Sequence, residues 1–474
     1  MLYLLHIKVP NKYVPERNYI IQTIMKEFLG VDSEIIIEER KDVLIKENDD
    51  FDGRALRVAD GLFQTPKNQW LTPNSLPKQP LQIWDTKQEY PDVSLVSSKI
   101  PIIYGQKGSS NVLTNDYLVE TPDGFCLGID IFGSAFFMLT RYEEYVKPDR
   151  DEHDRFPATA SLAYQEGFLD RPIINEYIEI LWYCMKRLWP SLERKVRDFR
   201  IIVSHDVDVP FAQAFSGLPQ LIRNCGGDIL NRKSLPMALR RLKSWQAVKR
   251  GNYKKDLNYT FDQIMDISEQ HNLKSAFYFK TAHTNKLYDD LYSIDHPYVR
   301  QLIRDINKRG HEIGFHPSYE TYQNPEQTKV EFQKLLQVCE EEGFHQAQWG
   351  GRQHYLRWQV PITWRTWAEA GLNYDSTLSY ADHAGFRCGI CYEFPVFDLE
   401  NRQILSLCER PLVVMEGSVL GEQYMNLSGY DALSYIIILK ERCQRFNGDF
   451  TLLWHNSSFT EPERWEMYRE VVKE

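Results

Sequence analysis

No run of about 18 apolar residues occurs in the 474-residue chain, so the sequence offers no membrane-spanning helix. A basic excess is also missing. The formal charge is −10, the wrong sign for a general nucleic-acid binder, which needs a cationic face to neutralise phosphates. The opening residues MLYLLHIKVPNKYVPERNYI carry no basic leader and no small-residue cleavage site, and the expectation drawn from them is a cytoplasmic protein. Internal repeats and low-complexity segments are absent. A disulfide framework is not indicated either. Cys126, Cys184, Cys225, Cys339, Cys388, Cys391, Cys408 and Cys443 are scattered, and Cys388-Gly-Ile-Cys391 is a lone CxxC that reads as ordinary packing.

What is present is the composition of a globular protein: 43% hydrophobic, 26% charged and 13% aromatic, in a chain long enough for two domains. Residues 1–195 read as a mixed α/β unit, with helical patterns at 17–29, 131–146 and 172–189 separated by Pro-rich extended pieces. WPSLERKVRD reads as a boundary. From 199 the texture changes to strands alternating with helices: FRIIVSHDVD, SAFYFKT, HEIGFH, PLVVMEG and DFTLLWHNS, with helical stretches at 325–341, 361–371 and 428–445. Such alternation implies a mainly parallel sheet, open or closed into a barrel, with chemistry collected at the carboxyl ends of the strands. Residues 220–256 interrupt the pattern with a basic stretch, NRKSLPMALRRLKSWQAVKRGNYKKD. It reads as a solvated amphipathic helix in an insertion. The functional alternative is a patch for an anionic sugar, a nucleotide diphosphate carrier or lipid phosphate.

The polar residues at the strand ends are the candidates for chemistry. Asp206 and Asp208 lie one residue apart at the end of a buried strand, so both point to one side and need a cation or a shared proton between them. His316 ends the third strand. His311, five positions earlier, falls on the opposite face and is not expected on the same ion. Glu320 follows His316 by four, and a turn or short helix would bring the two together. Asp208, His316 and Glu320 thus make a three-ligand N/O set for a divalent metal, with zinc first and iron, cobalt, nickel or manganese as alternatives. His455 closes the last strand and is placed to protonate a leaving group. Arg352 and Asp375 follow neighbouring strands and could together hold a catalytic carboxylate.

In this order the residues resemble the polysaccharide deacetylase family, the NodB-homology domains of carbohydrate esterase family 4, and within it a bacterial branch with an HDVD first motif and an N-terminal companion domain. The resemblance covers residues 199–474. It rests on His205-Asp206-Val207-Asp208, on Gly310–His316, on Arg352-Gln353-His354-Tyr355 and on Leu453-Trp454-His455. It implies a distorted (β/α) barrel of about seven strands behind a smaller mixed α/β domain, and metal-dependent removal of N- or O-linked acetyl groups from a carbohydrate. In the family pattern Asp206 matches the base and Asp208 a metal ligand. Val207 separates two aspartates that are commonly adjacent, so these roles are open to exchange. The family's second metal histidine falls on Glu320, and the proline of the third motif is replaced by His354. His455 matches the general acid, and Arg352 with Asp375 the groups that orient the base. Two rival functions stand beside this one: an amidohydrolase of the same fold acting on a non-sugar C–N bond, and an inactive carbohydrate-binding relative.

Overall fold

A computed structural model describes residues 4–47, 53–86, 93–107, 116–231, 233–289, 292–459 and 461–473. The N-terminal half is built on strands β1 (Leu5–Pro10), β2 (Ser33–Glu38), β3 (Val43–Glu47) and β4 (Ala55–Val58). It continues through a separate hairpin of β5 (Gln82–Asp85) and β6 (Lys99–Ile102), then β7 (Leu118–Thr121) and β8 (Gly124–Leu127). Its six-stranded sheet has the order β2-β1-β3-β4-β8-β7 and mixes parallel with antiparallel pairs. The helical pattern at 131–146 is broken in the structure. Asp130 caps Ile131–Leu139 by accepting the Gly133 N–H at 2.7 Å, and Arg141 then takes a left-handed φ of 54° before Tyr142–Val146 resumes. That break turns the Arg141 guanidinium inward, towards the other half of the chain.

The C-terminal half holds β9 (Arg200–Val207), β10 (Ser275–Phe279), β11 (Glu312–Phe315), β12 (Gly350–Gly351), β13 (Tyr374–Asp375), β14 (Phe394–Asp398), β15 (Gln403–Glu409), β16 (Val414–Met415) and β17 (Asp449–Leu453). The order is β14-β15-β13-β12-β11-β10-β9-β17-β16. Every neighbouring pair from β15 to β16 is parallel, and β14 adds an antiparallel edge. Among the described residues the sheet therefore has nine strands where about seven were expected. It cannot be flat. Strands β15 and β16 stand at opposite ends of the parallel run, roughly 34 Å apart if the sheet were planar at the usual strand spacing. Residues 410–413 alone join them, and a chain that short reaches about 18 Å. The sheet must curl so that its ends approach.

Two glycines make the middle of this sheet possible. A Cβ on Gly351 would lie 1.8 Å from the Phe315 carbonyl oxygen, and one on Gly350 would lie 2.4 Å from the Tyr374 ring. Side chains there would push β12 off its neighbours and carry the residues that follow it away from the site.

Strands of the two halves form separate sheets, but their buried side chains belong to one continuous hydrophobic cluster. Tyr19 stacks on Phe397 at 4.9 Å and donates its hydroxyl to the Pro395 carbonyl. Phe136 meets Phe397 edge-on. Among these apolar contacts lies a buried charge cluster in which Glu144 accepts from Arg141 Nε at 2.8 Å and from Arg387 Nε at 2.9 Å. Burial pushes the Glu144 carboxyl up, but the two guanidiniums outweigh it and hold the group below its ordinary range. Removing this carboxylate leaves the buried Arg387 without its carboxylate partner and Arg141 with Glu143 alone, at 3.2 Å. Glu144→Ala should cost about 3–5 kcal/mol in denaturant unfolding, while Ala at exposed Glu152 should cost little. A loss under about 1 kcal/mol for Glu144→Ala, the size of a surface pair, would contradict this account of the interface.

Candidate metal centre

The carboxyl ends of β9, β11 and β12 deliver three side chains to one point. Asp208 follows β9, His316 follows β11, and His354 lies in the turn after β12. One ligand-capable atom from each falls within 4.8 Å of the others. Asp208 Oδ1 is 3.2 Å from His316 Nε2 and 3.3 Å from His354 Nε2.

The hydrogen bonds behind these rings decide which nitrogen faces the cluster. His316 Nδ1 lies 2.7 Å from the Arg352 carbonyl oxygen, which can only accept, so Nδ1 carries the hydrogen and Nε2 presents a lone pair. His354 Nδ1 lies 3.0 Å from Asp289 Oδ1 and is fixed the same way. Asp289 is itself held by the backbone N–H groups of Thr284, Asn285 and Tyr319. Such a second layer orients metal-binding imidazoles. The result is a carboxylate oxygen facing two nitrogen lone pairs, and both Asp208 Oδ1 and His316 Nε2 are buried without a hydrogen-bond partner. This donor set fits a divalent cation. A carboxylate with two imidazoles is also the composition that suits zinc.

Lys280, one residue beyond the end of β10, places its fully buried ammonium 3.4 Å from Asp208 Oδ1. Burial pushes the Asp208 carboxyl up, but Lys280 and His354 more than reverse this and hold it well below the usual range. For His354, burial works against the charged form, and Asp208 and Asp289 overcome it, so its pKa is raised.

Asp206 sits beside the cluster and accepts from Arg352 Nη1 at 2.8 Å. The buried Arg352 also donates Nη2 to the Ser204 hydroxyl at 2.9 Å and Nε to the Ser376 carbonyl at 2.8 Å. On the far wall, His455 Nδ1 is 2.7 Å from Glu416 Oε1, and the same oxygen accepts the His455 backbone N–H. His455 Nε2 points to the cleft, 3.7 Å from Asp208 Oδ2. Burial lowers the His455 pKa, but the Glu416 carboxylate and then Asp208 carry it up to about 10. Asp206, Asp208, His316, His354 and His455 line one cavity of about 220 Å³ together with Tyr355, Tyr424 and Arg155.

Two sequence expectations need correction. Glu320 is not with the metal-ligating group. The segment after His316 is a turn, one of the two forms expected, but Glu331 and Asp289 tie down Ser318 and Tyr319 so that it does not return Glu320 to His316. Four-residue spacing then no longer puts two side chains on one face. Glu320 is 47% exposed, 3.2 Å from Arg357 Nη1 and bonded to the Asn285 amide. Asp375 is absent from the cavity lining, and Arg352 acts on it as a nearby opposite charge. It is buried, accepts the Thr377 N–H, and Thr377 in turn accepts the N–H of Gln353 next to Arg352. Burial raises the Asp375 carboxyl to about 7, with Glu409 its register partner on the adjacent strand. His205 is also outside the cleft, bonded to the Trp454 carbonyl on the other face, with burial depressing its pKa to about 4.

Three residues were missed. His354 was legible as an extra histidine at the carboxyl edge of the sheet in a chain short of one ligand. Lys280 was visible as a charge closing the apolar strand SAFYFK. Glu416 carries no signal beyond following PLVVM, because its pairing with His455 depends on β16 and β17 lying side by side.

The turn that carries His354 is strained and is braced by the N-terminal half. Tyr355 and Leu356 both adopt left-handed φ, 60° and 56°, which side chains other than glycine disfavour. Arg155 holds this turn by donating Nη1 to the Tyr355 carbonyl at 3.0 Å and Nη2 to the Tyr424 hydroxyl at 3.4 Å. Asp151 fixes Arg155 Nε at 2.7 Å.

A family of unknown function, DUF7033, matches residues 5–190. No curated protein matches the chain. Among solved structures, one described as a polysaccharide deacetylase from Mycobacterium smegmatis is 19% identical, with a TM-score of 0.36, over 59% of this chain and 84% of that one. The Puue allantoinase is 12% identical, with a TM-score of 0.31, over 50% of this chain and 69% of that one. Likenesses this loose establish no reaction.

Replacing His354 with Ala should weaken zinc binding about 10- to 100-fold or more, as loss of a ligand or its support does, and Glu320→Ala should leave it unchanged. Competition against a chromophoric chelator measures both. Zinc binding lost with Glu320→Ala and kept with His354→Ala would reverse the assignment.

Proposed function

We propose that the chain is a metal-dependent hydrolase of the polysaccharide deacetylase type, removing N- or O-linked acetyl groups from a carbohydrate. The observation that carries this reading is one cleft with a metal-fitting set at its base, an arginine-held carboxylate on one side and a carboxylate-held histidine on the other. In this reading residues 199–474 form the catalytic unit as a distorted barrel, and residues 1–195 brace it. Asp208, His316 and His354 hold the cation, zinc by the character of its ligands. The chemistry a bound cation supplies there is Lewis acidity towards an acyl carbonyl and towards water.

The remaining work falls to side chains. Asp206 receives the proton of the attacking water at Oδ2, since Oδ1 is taken by Arg352. The guanidinium fixes this carboxylate in direction. His455 delivers a proton from Nε2 to the departing nitrogen or oxygen, since Nδ1 is taken by Glu416. Asp375 supports the Gln353–Arg352 backbone from behind through Thr377 and touches no reacting atom. Tyr355 and Tyr424 offer aromatic faces of the kind sugars stack on. A second cavity, of about 610 Å³, is also lined by Asp208 and continues past Phe211, Phe215 and Tyr292. A cleft open on both sides of the metal-fitting set favours an extended substrate over a small amide.

His455→Ala should leave metal content intact and lower deacetylation of an acetylated amino sugar by about 100- to 10,000-fold. The loss should be smaller for an aryl acetate, whose leaving group needs no proton. Equal losses on amide and aryl ester would remove the general-acid role. Turnover of small amides but of no acetylated sugar by the zinc-loaded wild type would replace the carbohydrate reading with a non-sugar amidohydrolase. No turnover of either would favour an inactive binding relative.

A further inference from the structure

The basic insertion forms two helices, Leu218–Leu230 and Leu235–Lys249, packed against each other as a hairpin. Asp228 joins them by accepting from Arg241 at 2.7 Å, and the Ser234 hydroxyl caps the second helix at the Met237 N–H. The expectation of a solvated amphipathic helix holds for its charges but not for its apolar side chains. Leu218, Ile222 and Ile229 recur at helical spacing on the first helix, and Leu235, Leu239 and Leu242 do so on the second. A helix normally turns such a stripe to the core. Here all six are exposed, with Ile222 at 64%, and Leu230 beside them at 77%. Seven of the eighteen exposed large hydrophobic residues among the described residues fall between 218 and 242. Concentrations of this kind mark an interaction surface.

Charge narrows the choice of partner. Residues 220–256 contain ten Lys and Arg against two Asp, a formal +8, so the rest of the chain carries −18. Both aspartates are used internally: Asp228 by Arg241, and Asp256 by the backbone N–H groups of Ala212, Gln213 and Ala214. Arg223, Arg240, Lys243, Lys249 and Arg250 are exposed beside the stripe. An apolar stripe edged by lysine and arginine is the pattern of a helix lying in the interface of an anionic bilayer. A second copy of the hairpin would set like charges against each other, and a nucleic acid would leave the leucines unpaired. The negative remainder of the chain would be repelled from an anionic surface, which leaves one orientation for approach. Among the described residues no helix is long and apolar enough to cross a membrane, so contact of this kind is interfacial.

The hairpin also borders the cleft. Gln220 and Asn224, on its first helix, line the 610 Å³ cavity that reaches Asp208, opposite Leu287. We propose that the Leu218–Lys249 hairpin is a membrane-docking surface that seats its leucine and isoleucine stripe in an anionic bilayer and opens the cleft towards substrates held at that surface.

Flotation of the full chain with vesicles tests this without any turnover, so its failure is distinct from failure of the hydrolase reading. Binding to phosphatidylcholine vesicles containing phosphatidylglycerol should be roughly tenfold or more tighter than to phosphatidylcholine alone, and should weaken with salt. The pair Ile222→Asp/Leu239→Asp and, separately, the pair Arg240→Glu/Lys243→Glu should each weaken it about tenfold or more, with melting temperature and zinc stoichiometry unchanged. Equal or absent binding to the two vesicle types would overturn the proposal, as would retention of binding by both variants. A lipid-free dimer abolished by Ile222→Asp/Leu239→Asp would overturn it in favour of a second copy.

Discussion

Two imidazole Nε2 atoms and a carboxylate oxygen face one another at the carboxyl edge of the large sheet, an arrangement that calls for positive charge between or beside them. Asp208 Oδ1 is the shared atom, 3.2 Å from His316 Nε2 and 3.3 Å from His354 Nε2. Neither ring can turn away, because Nδ1 of each is held from behind by the Arg352 carbonyl or by Asp289. The buried Lys280 ammonium supplies one charge from the side, at 3.4 Å. The remaining demand is what fits this cluster to a cation.

The parallel order of the strands brings these groups together. Asp208, Lys280, His316 and His354 come from consecutive neighbours in the sheet, β9, β10, β11 and β12, each just past its carboxyl end. Arg352 couples the parts. Its guanidinium holds Asp206 while its carbonyl fixes the tautomer of His316. A substitution at Arg352 would therefore disturb a candidate base and a candidate ligand together, and would not report on either alone.

The N-terminal half is part of this site and not an appendage to it. The Arg155 guanidinium holds the Tyr355 carbonyl inside a turn where two successive residues have left-handed φ, and His354 is the residue immediately before them. Such strain persists where surrounding contacts over-determine it. The Glu144 cluster and the Tyr19–Phe397 stack lock the same two halves farther out. These contacts tie the region matching a family of unknown function to the turn that carries His354.

Much of this was legible in the sequence because the strand ends carry their own labels. The alternation of apolar strands with helices, the HDVD and GHEIG strands and the late Leu-Trp-His segment located Asp206, Asp208, His316 and His455 at one edge. Glu320 was misplaced because a turn or short helix was expected to bring it back to His316, and the turn that forms there is set by Asp289 and Glu331 from distant parts of the chain. Glu416 and Arg155 were out of reach for the same reason, since their partners lie 39 and 200 residues away. The exposed face of the 218–249 hairpin was equally hidden, because a periodic leucine pattern does not say whether it meets a core or solvent. Two histidines and one aspartate are the proposed ligands of the cation. X-ray absorption spectroscopy of the zinc-loaded protein tests this assignment most directly. The account predicts scattering from two imidazole rings with the remaining ligands oxygen, and a spectrum requiring a single imidazole would contradict it.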